Sequence, residues 1–146
     1  MIYKSRKDLL FKTVFITTIL ICIGATYPAL INSDVKGLPF IIVAGINVLS
    51  IIFLGLIYFN TYYKLDDQFI HYTSGFFSGK VKITDIKRID YGKTQWVGLK
   101  RYGLAQKGLI IYYNNYDDLY ITPEHQEQFI ERLRSYNNKI IVNYKS

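Results

Sequence analysis

The residue types with the clearest binding chemistry lie in one irregular stretch, residues 92–108. They are four basic side chains and one aromatic side chain, Lys93, Trp96, Lys100, Arg101 and Lys107, and no acidic residue occurs from Tyr91 to Tyr116. Basic residues interleaved with aromatic ones bind anionic lipid headgroups, peptides or single-stranded nucleic acid. These five residues are therefore the candidate ligand site. A solvated loop beside an anionic membrane is the simpler interpretation, and we favour it because the charges are scattered.

Residues that perform covalent, acid–base or metal chemistry are sparse. His71 and His125 lack a Cys or carboxylate at metal-ligand spacing, and the single cysteine, Cys22, lies in an apolar stretch that should leave its thiol inert. Asp66-Asp67 and Asp117-Asp118 stand where hairpins need turn residues. No phosphate-binding loop, nucleophile elbow or dinucleotide fingerprint occurs. The sequence thus predicts a protein that is not an enzyme and that holds no metal and no cofactor.

Two uncharged stretches, residues 13–31 and 38–59, precede the candidate site. A helix that crosses roughly 30 Å of hydrocarbon needs about 20 apolar residues, so both stretches are long enough. Only residues 32–37 separate them, which predicts a transmembrane helical hairpin. A cleaved signal peptide is the rival interpretation of the first stretch. We disfavour it because no A-x-A-like site follows and a second span comes at once.

Asn47 lies near the middle of the second stretch, where a polar side chain needs a partner. Antiparallel pairing of the helices places it level with residues 22–25, so that Thr26 is within one turn. We predict an interhelical polar contact between Asn47 and Thr26, worth roughly 0.6–2 kcal/mol. A substrate path is the alternative, which we disfavour because two helices cannot enclose a pore.

The distribution of basic residues predicts which side of the membrane each part occupies. Residues 1–12 carry four basic residues and one acidic residue, whereas the short connection carries one of each. Loops rich in Lys and Arg face the cytoplasm. We therefore predict a two-span cell-membrane protein with a basic cytoplasmic N-terminus at residues 1–12 and a cytoplasmic domain at residues 60–146. Four tyrosines near the proposed boundaries fit an interfacial aromatic belt: Tyr27, Tyr58, Tyr62 and Tyr63.

Residues 60–146 have mostly the patterns of β-strands. Tyr62–Leu65 and Phe69–Tyr72 flank the Asp66-Asp67 turn and predict one hairpin. Leu109–Tyr113 and Leu119–Ile121 predict another. Between them we expect Phe77, Val81 and Ile83 to form the core face of a strand, a turn at Thr84-Asp85, a further strand, and a loop from Gly92 to Gly108.

One segment of this region predicts a helix. Thr122 is the expected cap and Pro123 suits the first helical position, while Asn137-Asn138 ends the segment. The apolar positions recur with helical spacing and form one stripe: Phe129, Ile130, Leu133 and Tyr136. Lys139 to Tyr144 is either a last strand or a loose end.

The string FNTYYKLDDQFIHYTSGFFSGKVKITDIKRI, followed by ITPEHQEQFIERL, resembles the YyaB-like bacterial pleckstrin-homology (PH) domain family. YKSRKD and the two apolar stretches resemble the amino-terminal half of the same membrane-anchored family. The resemblance covers nearly the whole chain and is weakest in residues 92–107. It implies an α+β fold in which a transmembrane hairpin precedes an antiparallel sheet or partial barrel capped by a C-terminal helix. It implies little about activity, since a fold does not determine function.

A binding role follows from the paired spans and the absence of catalytic motifs. We expect a membrane-anchored interaction module whose partners are membrane lipids, another membrane protein or a peptide, with no nucleic acid. The Asp66-Asp67 turn disfavours an inositol phosphate at the first hairpin, where PH domains of eukaryotes hold phosphoinositides on basic side chains. A bacteriocin immunity or envelope-stress protein is the alternative, and it rests on analogy with other membrane-anchored PH-like proteins.

Overall fold

The computed structural model of the protein describes residues 1–31, 37–98 and 100–144. Two long apolar helices are followed by antiparallel sheets and a C-terminal helix, which confirms the predicted α+β class. The elements in chain order are β1 (Ile2–Lys4), α1 (Leu9–Ile31), α2 (Leu38–Phe59), β2 (Thr61–Leu65), β3 (Phe69–Ser74), β4 (Phe77–Lys82), a 3₁₀ turn (Ile83–Asp85), β5 (Ile86–Lys93), β6 (Gly108–Tyr113), β7 (Asp117–Ile121), α3 (Gln126–Tyr136) and β8 (Ile141–Tyr144).

Both α1 and α2 are long and apolar enough to cross a membrane. α2 has the predicted bounds, but α1 begins at Leu9 rather than at Thr13. The reason is Asp8, whose carboxylate accepts the Phe11 N–H at 3.1 Å and whose carbonyl accepts the Lys12 N–H at 3.1 Å. Such a cap satisfies amide groups that the first helical turn leaves free. The predicted connection lies outside the described residues except for Gly37.

Two four-stranded sheets make up the domain, in the orders β1-β2-β3-β4 and β7-β6-β5-β8. The predicted β2–β3 and β6–β7 hairpins are both present, with Leu65 opposite Ile70 and Leu109 opposite Ile121. The pairings between these named strands are antiparallel except that of β5 with β8. The segment after α3, for which two outcomes were open, is therefore a strand.

A single core lies between the two sheets and α3. The isoleucines spaced by three residues, Ile83, Ile86 and Ile89, are all buried in it, with the predicted turn between them formed by the 3₁₀ segment. Phe129 and Leu133 of α3 are fully buried in the same core. Burying each large apolar side chain contributes about 1.5–3 kcal/mol before conformational entropy is subtracted.

Residues 1–12 are more than a charged leader to α1. β1 is the edge strand of the first sheet, with Tyr3 opposite Tyr63 of β2. The Tyr3 ring is buried and meets the Phe129 ring edge-on, with 5.0 Å between the centroids. The predicted basic segment therefore also supplies a strand and a core residue.

Phe77 was predicted to lie on the core face of β4, and that prediction is wrong. Val81 and Ile83 are buried, but Phe77 is 54% exposed. It stands at the first position of β4, after a turn in which Gly75 adopts a φ of 59°. That turn lies against α2, where the Phe76 ring stacks on the Phe53 ring at 6.2 Å. The two phenylalanines thus extend beyond the core toward the helix pair.

The predicted start of the C-terminal helix is also corrected. α3 begins at Gln126, with His125 as the preceding residue, rather than at Pro123. Thr122 is fully buried and does not cap the helix, because its hydroxyl accepts the Leu104 N–H at 3.0 Å and lies 3.0 Å from the Ser5 hydroxyl. Pro123 pairs with Ser5 across an isolated bridge. Thr122-Pro123 therefore extends β7 to the N-terminal segment.

Candidate functional site

The stretch between β5 and β6 was predicted as a loop, and the structure attaches it firmly to the sheet. Tyr102 donates its N–H to the Tyr120 carbonyl at 2.9 Å, and Tyr120 donates to the Lys100 carbonyl at 3.0 Å. Further along, the Gln106 N–H bonds to the Asp8 carboxylate at 2.7 Å. Leu104 is buried. Residues 94–98 and 100–107 therefore pack between β7 and the start of α1, and we call them the connecting segment.

Lys100, one of the five candidate residues, is held by neighbours on β6 and β7. Its ammonium donates to the Asp117 carboxylate at 2.7 Å and to the Tyr113 hydroxyl at 2.7 Å. The hydrogen bond that Lys100 donates to Asp117 is the main cause that raises the pKa of Lys100. Reciprocally, the bond from Lys100 lowers the pKa of Asp117. Lys100 thus anchors the connecting segment, and its charge is already matched.

The charge of Lys93 is neutralised in the same way by Asp90, which is nearly fully buried in β5. The Lys93 ammonium lies 2.8 Å from the Asp90 carboxylate, and the Arg88 guanidinium lies 3.2 Å from it. Asn143 of β8 donates a further hydrogen bond at 3.1 Å. Asp90 therefore joins β5 to β8 and neutralises Lys93.

The pH dependence of stability is expected to depend on Asp90. Burial alone raises the pKa of this carboxyl, but hydrogen bonds from Lys93 and Asn143, together with the charge of Arg88, lower the pKa overall. A carboxyl with a depressed folded-state pKa stabilises the fold above its unfolded pKa, near 4, and loses that contribution as the pH falls through the folded value. Asp90→Asn should therefore lower the free energy of unfolding by about 1.5–3 kcal/mol at pH 7 and flatten its acid dependence.

Urea titrations of the full chain in detergent between pH 7 and pH 3 measure this effect. Asp67→Asn is the matched control, because Asp67 is exposed in the β2–β3 turn. Equal acid dependence of the wild type and Asp90→Asn contradicts the assignment.

The other two basic candidates, Arg101 and Lys107, pair with no carboxylate within the described part of the chain. Trp96 is the remaining candidate. The Arg101 guanidinium donates to the Trp96 carbonyl at 2.6 Å and lies 5.7 Å from the Tyr120 ring centre. The Trp96 side chain is 64% exposed. Lys107 adopts a φ of 53°, and its N–H bonds to the Thr94 hydroxyl at 2.8 Å. The structure therefore brings Arg101 and Trp96 together and leaves Lys93 and Lys100 in separate ion pairs.

Between the long helices, Asn47 and Thr26 meet at one carbonyl. The Asn47 amide donates to the Cys22 carbonyl at 3.4 Å, and the Thr26 hydroxyl donates to the same oxygen at 3.1 Å. The two side chains do not bond to each other directly.

The first hairpin carries the acidic turn expected from sequence, where Asp66 lies 2.9 Å from His71 and 3.6 Å from Lys64.

A buried polar cluster escaped prediction. The Tyr63 hydroxyl donates to the Tyr102 carbonyl at 2.6 Å, lies 3.1 Å from the Ser5 hydroxyl and accepts the Thr122 N–H at 3.2 Å. Tyr63 is fully buried, so the prediction that it belongs to an interfacial aromatic belt is corrected. No sequence signal joins these residues, since they come from four separate segments. The cluster ties β1, β2, the connecting segment and β7 together.

Within residues 1–31, 37–98 and 100–144, no group of three or more His, Cys, Asp or Glu side chains is placed to hold a metal ion. The side-chain chemistry of the described surface is thus that of charge pairing and aromatic contact.

Comparison with known proteins identifies the domain. The family model described as "Bacterial PH domain" matches residues 61–137, which is more than half of the chain. The matched region runs from β2 to the end of α3 and so contains both sheets except for β1 and β8. Comparisons with curated proteins and with solved structures found no match. The strand order, the closing helix and this match agree, and the chain belongs to the bacterial PH domain family.

Proposed function

We propose that the protein is a membrane-anchored, non-enzymatic binding module. In this proposal α1 and α2 cross the cell membrane, both termini are cytoplasmic, and the PH domain engages a partner at the inner membrane face. PH domains are interaction modules, and the partner classes are a membrane protein, a peptide or an anionic lipid headgroup.

The observation that carries the proposal is the shortness of the connections between the helices and the domain. Only Asn60 separates α2 from β2, and Ser5–Asp8 separate β1 from α1. The Asn60 carbonyl accepts the Gly75 N–H at 3.1 Å, so the β3–β4 turn also bonds to the end of α2. With the helices in a bilayer, these connections hold the sheets against its surface.

The charge pattern supports cytoplasmic termini. Arg6, Lys7 and Lys12 lie beside the domain-proximal end of α1, and an excess of basic residues near membrane ends favours the cytoplasmic side. The Lys7 ammonium lies 4.5 Å above the Tyr58 ring, so one of these charges packs on the end of α2.

Reporter fusions test this topology. A reporter that is active only in the cytoplasm, fused after Ser146, should give full signal, whereas one inserted at residue 34 should give none. The reverse pattern, or recovery of the chain in the soluble fraction, contradicts the membrane-anchored module.

Copurification of the full-length protein from native membranes then identifies the bound class. Recovered lipids or membrane proteins support the binding module, whereas protection of sensitive cells from a bacteriocin favours the alternative role in immunity.

A further inference from the structure

A groove lies where the PH domain meets the two long helices. It is lined by residues of α1, α2, the β3–β4 hairpin and the connecting segment: Phe11, Ile57, Ser74, Phe77, Arg101, Tyr102, Gly103 and Leu104. Its volume is about 420 Å³. We call it the junction groove. Its lining is apolar except around Arg101, Tyr102 and Ser74.

The junction groove continues between α1 and α2 as an apolar channel of about 100 Å³. Phe11, Ile57 and Leu104 line both cavities. The channel adds side chains that recur at helical spacing on facing stripes: Val14, Phe15 and Thr18 on α1, and Leu54 and Tyr58 on α2. The two cavities are therefore adjacent, with Arg101 in the lining of the groove and apolar helix side chains around the channel.

The depth of the groove matches a lipid at the membrane surface. Phe11 and Ile57 each lie two residues inside a helix end, or about 3 Å at the usual helical rise. Phe53, on which Phe76 stacks, lies about 9 Å from the end of α2. Arg101 is thus level with the helix ends, and the aromatic turn beside it reaches the apolar part of α2.

Arg101 has hydrogen-bonding capacity that the described residues leave unused. A guanidinium carries five N–H donors, and Arg101 directs one bond to the Trp96 carbonyl. Its Nε is buried without an acceptor in the described structure, and no described carboxylate pairs with it. The planar guanidinium fork suits phosphate oxygens better than an ammonium does.

We propose that the junction groove binds one anionic phospholipid of the surrounding bilayer. Its phosphate lies at the Arg101 guanidinium, and the first part of one acyl chain lies in the channel between α1 and α2. The proposal rests on the proposed function, since the groove meets lipid only when the helices are in a membrane. An apolar occupant suits the channel, and the cation at its mouth selects a negative headgroup.

Native mass spectrometry of the full-length protein in detergent tests the headgroup. Phosphatidylglycerol should bind in preference to phosphatidylcholine with the same acyl chains. Arg101→Gln should weaken phosphatidylglycerol binding roughly tenfold, because charge-assisted hydrogen bonds to the phosphate are lost. Phosphatidylcholine binding should weaken less, because its choline group neutralises the same phosphate. Arg101→Lys should give an intermediate loss. Arg134→Gln, on the exposed face of α3, is the matched control and should bind as the wild type does.

A second pair of variants tests the acyl chain. Val14→Trp places a large side chain in the channel and should lower the binding of both lipids. Ile16→Trp adds the same bulk at an exposed position of α1 that does not line the channel, and should leave binding unchanged. Unaltered melting temperatures of the variants show that lost binding is not lost folding.

Three results overturn the lipid site. One is equal binding of the two lipids to the wild type together with no effect of Arg101→Gln. Another is displacement of phosphatidylglycerol by inorganic phosphate with no effect of Val14→Trp, which indicates a free-anion site. The third is a lipid-free dimer in which Val14→Trp breaks the association, which assigns the groove to a second copy. If any of these results occurs and the Ser146 reporter is cytoplasmic, the lipid site is wrong but the membrane-anchored module is still supported. Failure of the reporter test contradicts both proposals.

Discussion

Replacing Tyr3 by alanine is expected to lower the free energy of unfolding by about 3–5 kcal/mol, the range for removing an aromatic ring from a core. Tyr3 is 6% exposed and packs edge-on against Phe129, so its ring joins β1 to α3 across the core. The rest of β1 is held by backbone bonds, from its pairing with β2 and from the Glu124 N–H to the Lys4 carbonyl at 3.0 Å. The loss should therefore release β1 from the sheet as well as leave a cavity.

Urea or thermal unfolding of the full chain in detergent measures this loss. Ile2→Ala in the same strand is the matched control, since Ile2 is 67% exposed and should change stability by less than about 0.5 kcal/mol. Equal effects of the two substitutions show that β1 does not hold its place in the sheet. Fast hydrogen exchange of the Leu65 amide, which donates to the Met1 carbonyl at 2.8 Å, should accompany Tyr3→Ala.

Tyr63→Phe is expected to destabilise the domain by about 1–3 kcal/mol although it removes a single oxygen atom. That hydroxyl donates to the Tyr102 carbonyl, bonds to the Ser5 hydroxyl and accepts the Thr122 N–H, all in the interior. Without it, these buried groups lose a partner that water cannot replace, which is the costly case for a hydrogen bond. Burial also raises the pKa of Tyr63, so the hydroxyl keeps its proton to donate.

Tyr62→Phe is the matched control, because Tyr62 neighbours Tyr63 in β2 but faces outward. Thr122→Val removes a second member of the same cluster, so the double variant should lose less stability than the two single losses combined. Additive losses, or a neutral Tyr63→Phe, contradict a cooperative cluster.

Local patterns predicted the elements whose neighbours in sequence are also their neighbours in space. The β2–β3 and β6–β7 hairpins were predicted because alternating apolar residues flank turn residues such as Asp66-Asp67. α2 was predicted with its bounds because an uncharged stretch of its length has few other structures available.

β1 could not be predicted from sequence for a physical reason. Its three residues lie among basic residues that also predict a cytoplasmic N-terminus. Their role as a strand depends on pairing with Tyr62–Lys64, about sixty positions later. The start of α3 was misplaced because Thr122-Pro123 is a good helix start locally, while the buried bonds of Thr122 to Leu104 and Ser5 oppose that use.

The candidate site was predicted by composition, and composition does not show which charges are free. Lys93 and Lys100 resemble Arg101 in sequence, but Lys93 pairs with Asp90 of its own strand and Lys100 pairs with Asp117 of β7. The groove beside Arg101 was not predicted, since Phe11 at the start of α1 and Ile57 at the end of α2 lie far apart in the sequence.

The short connections at Asn60 and Ser5–Asp8 also limit where the domain can search for partners. A flexible tether lets a domain explore a volume that grows with tether length, and it sets the effective concentration of any second site. With its helices in a bilayer, this domain has almost no such volume and keeps one orientation. Partners that move in the same membrane plane thus meet it at high effective concentration, whereas a soluble partner has to approach one fixed face.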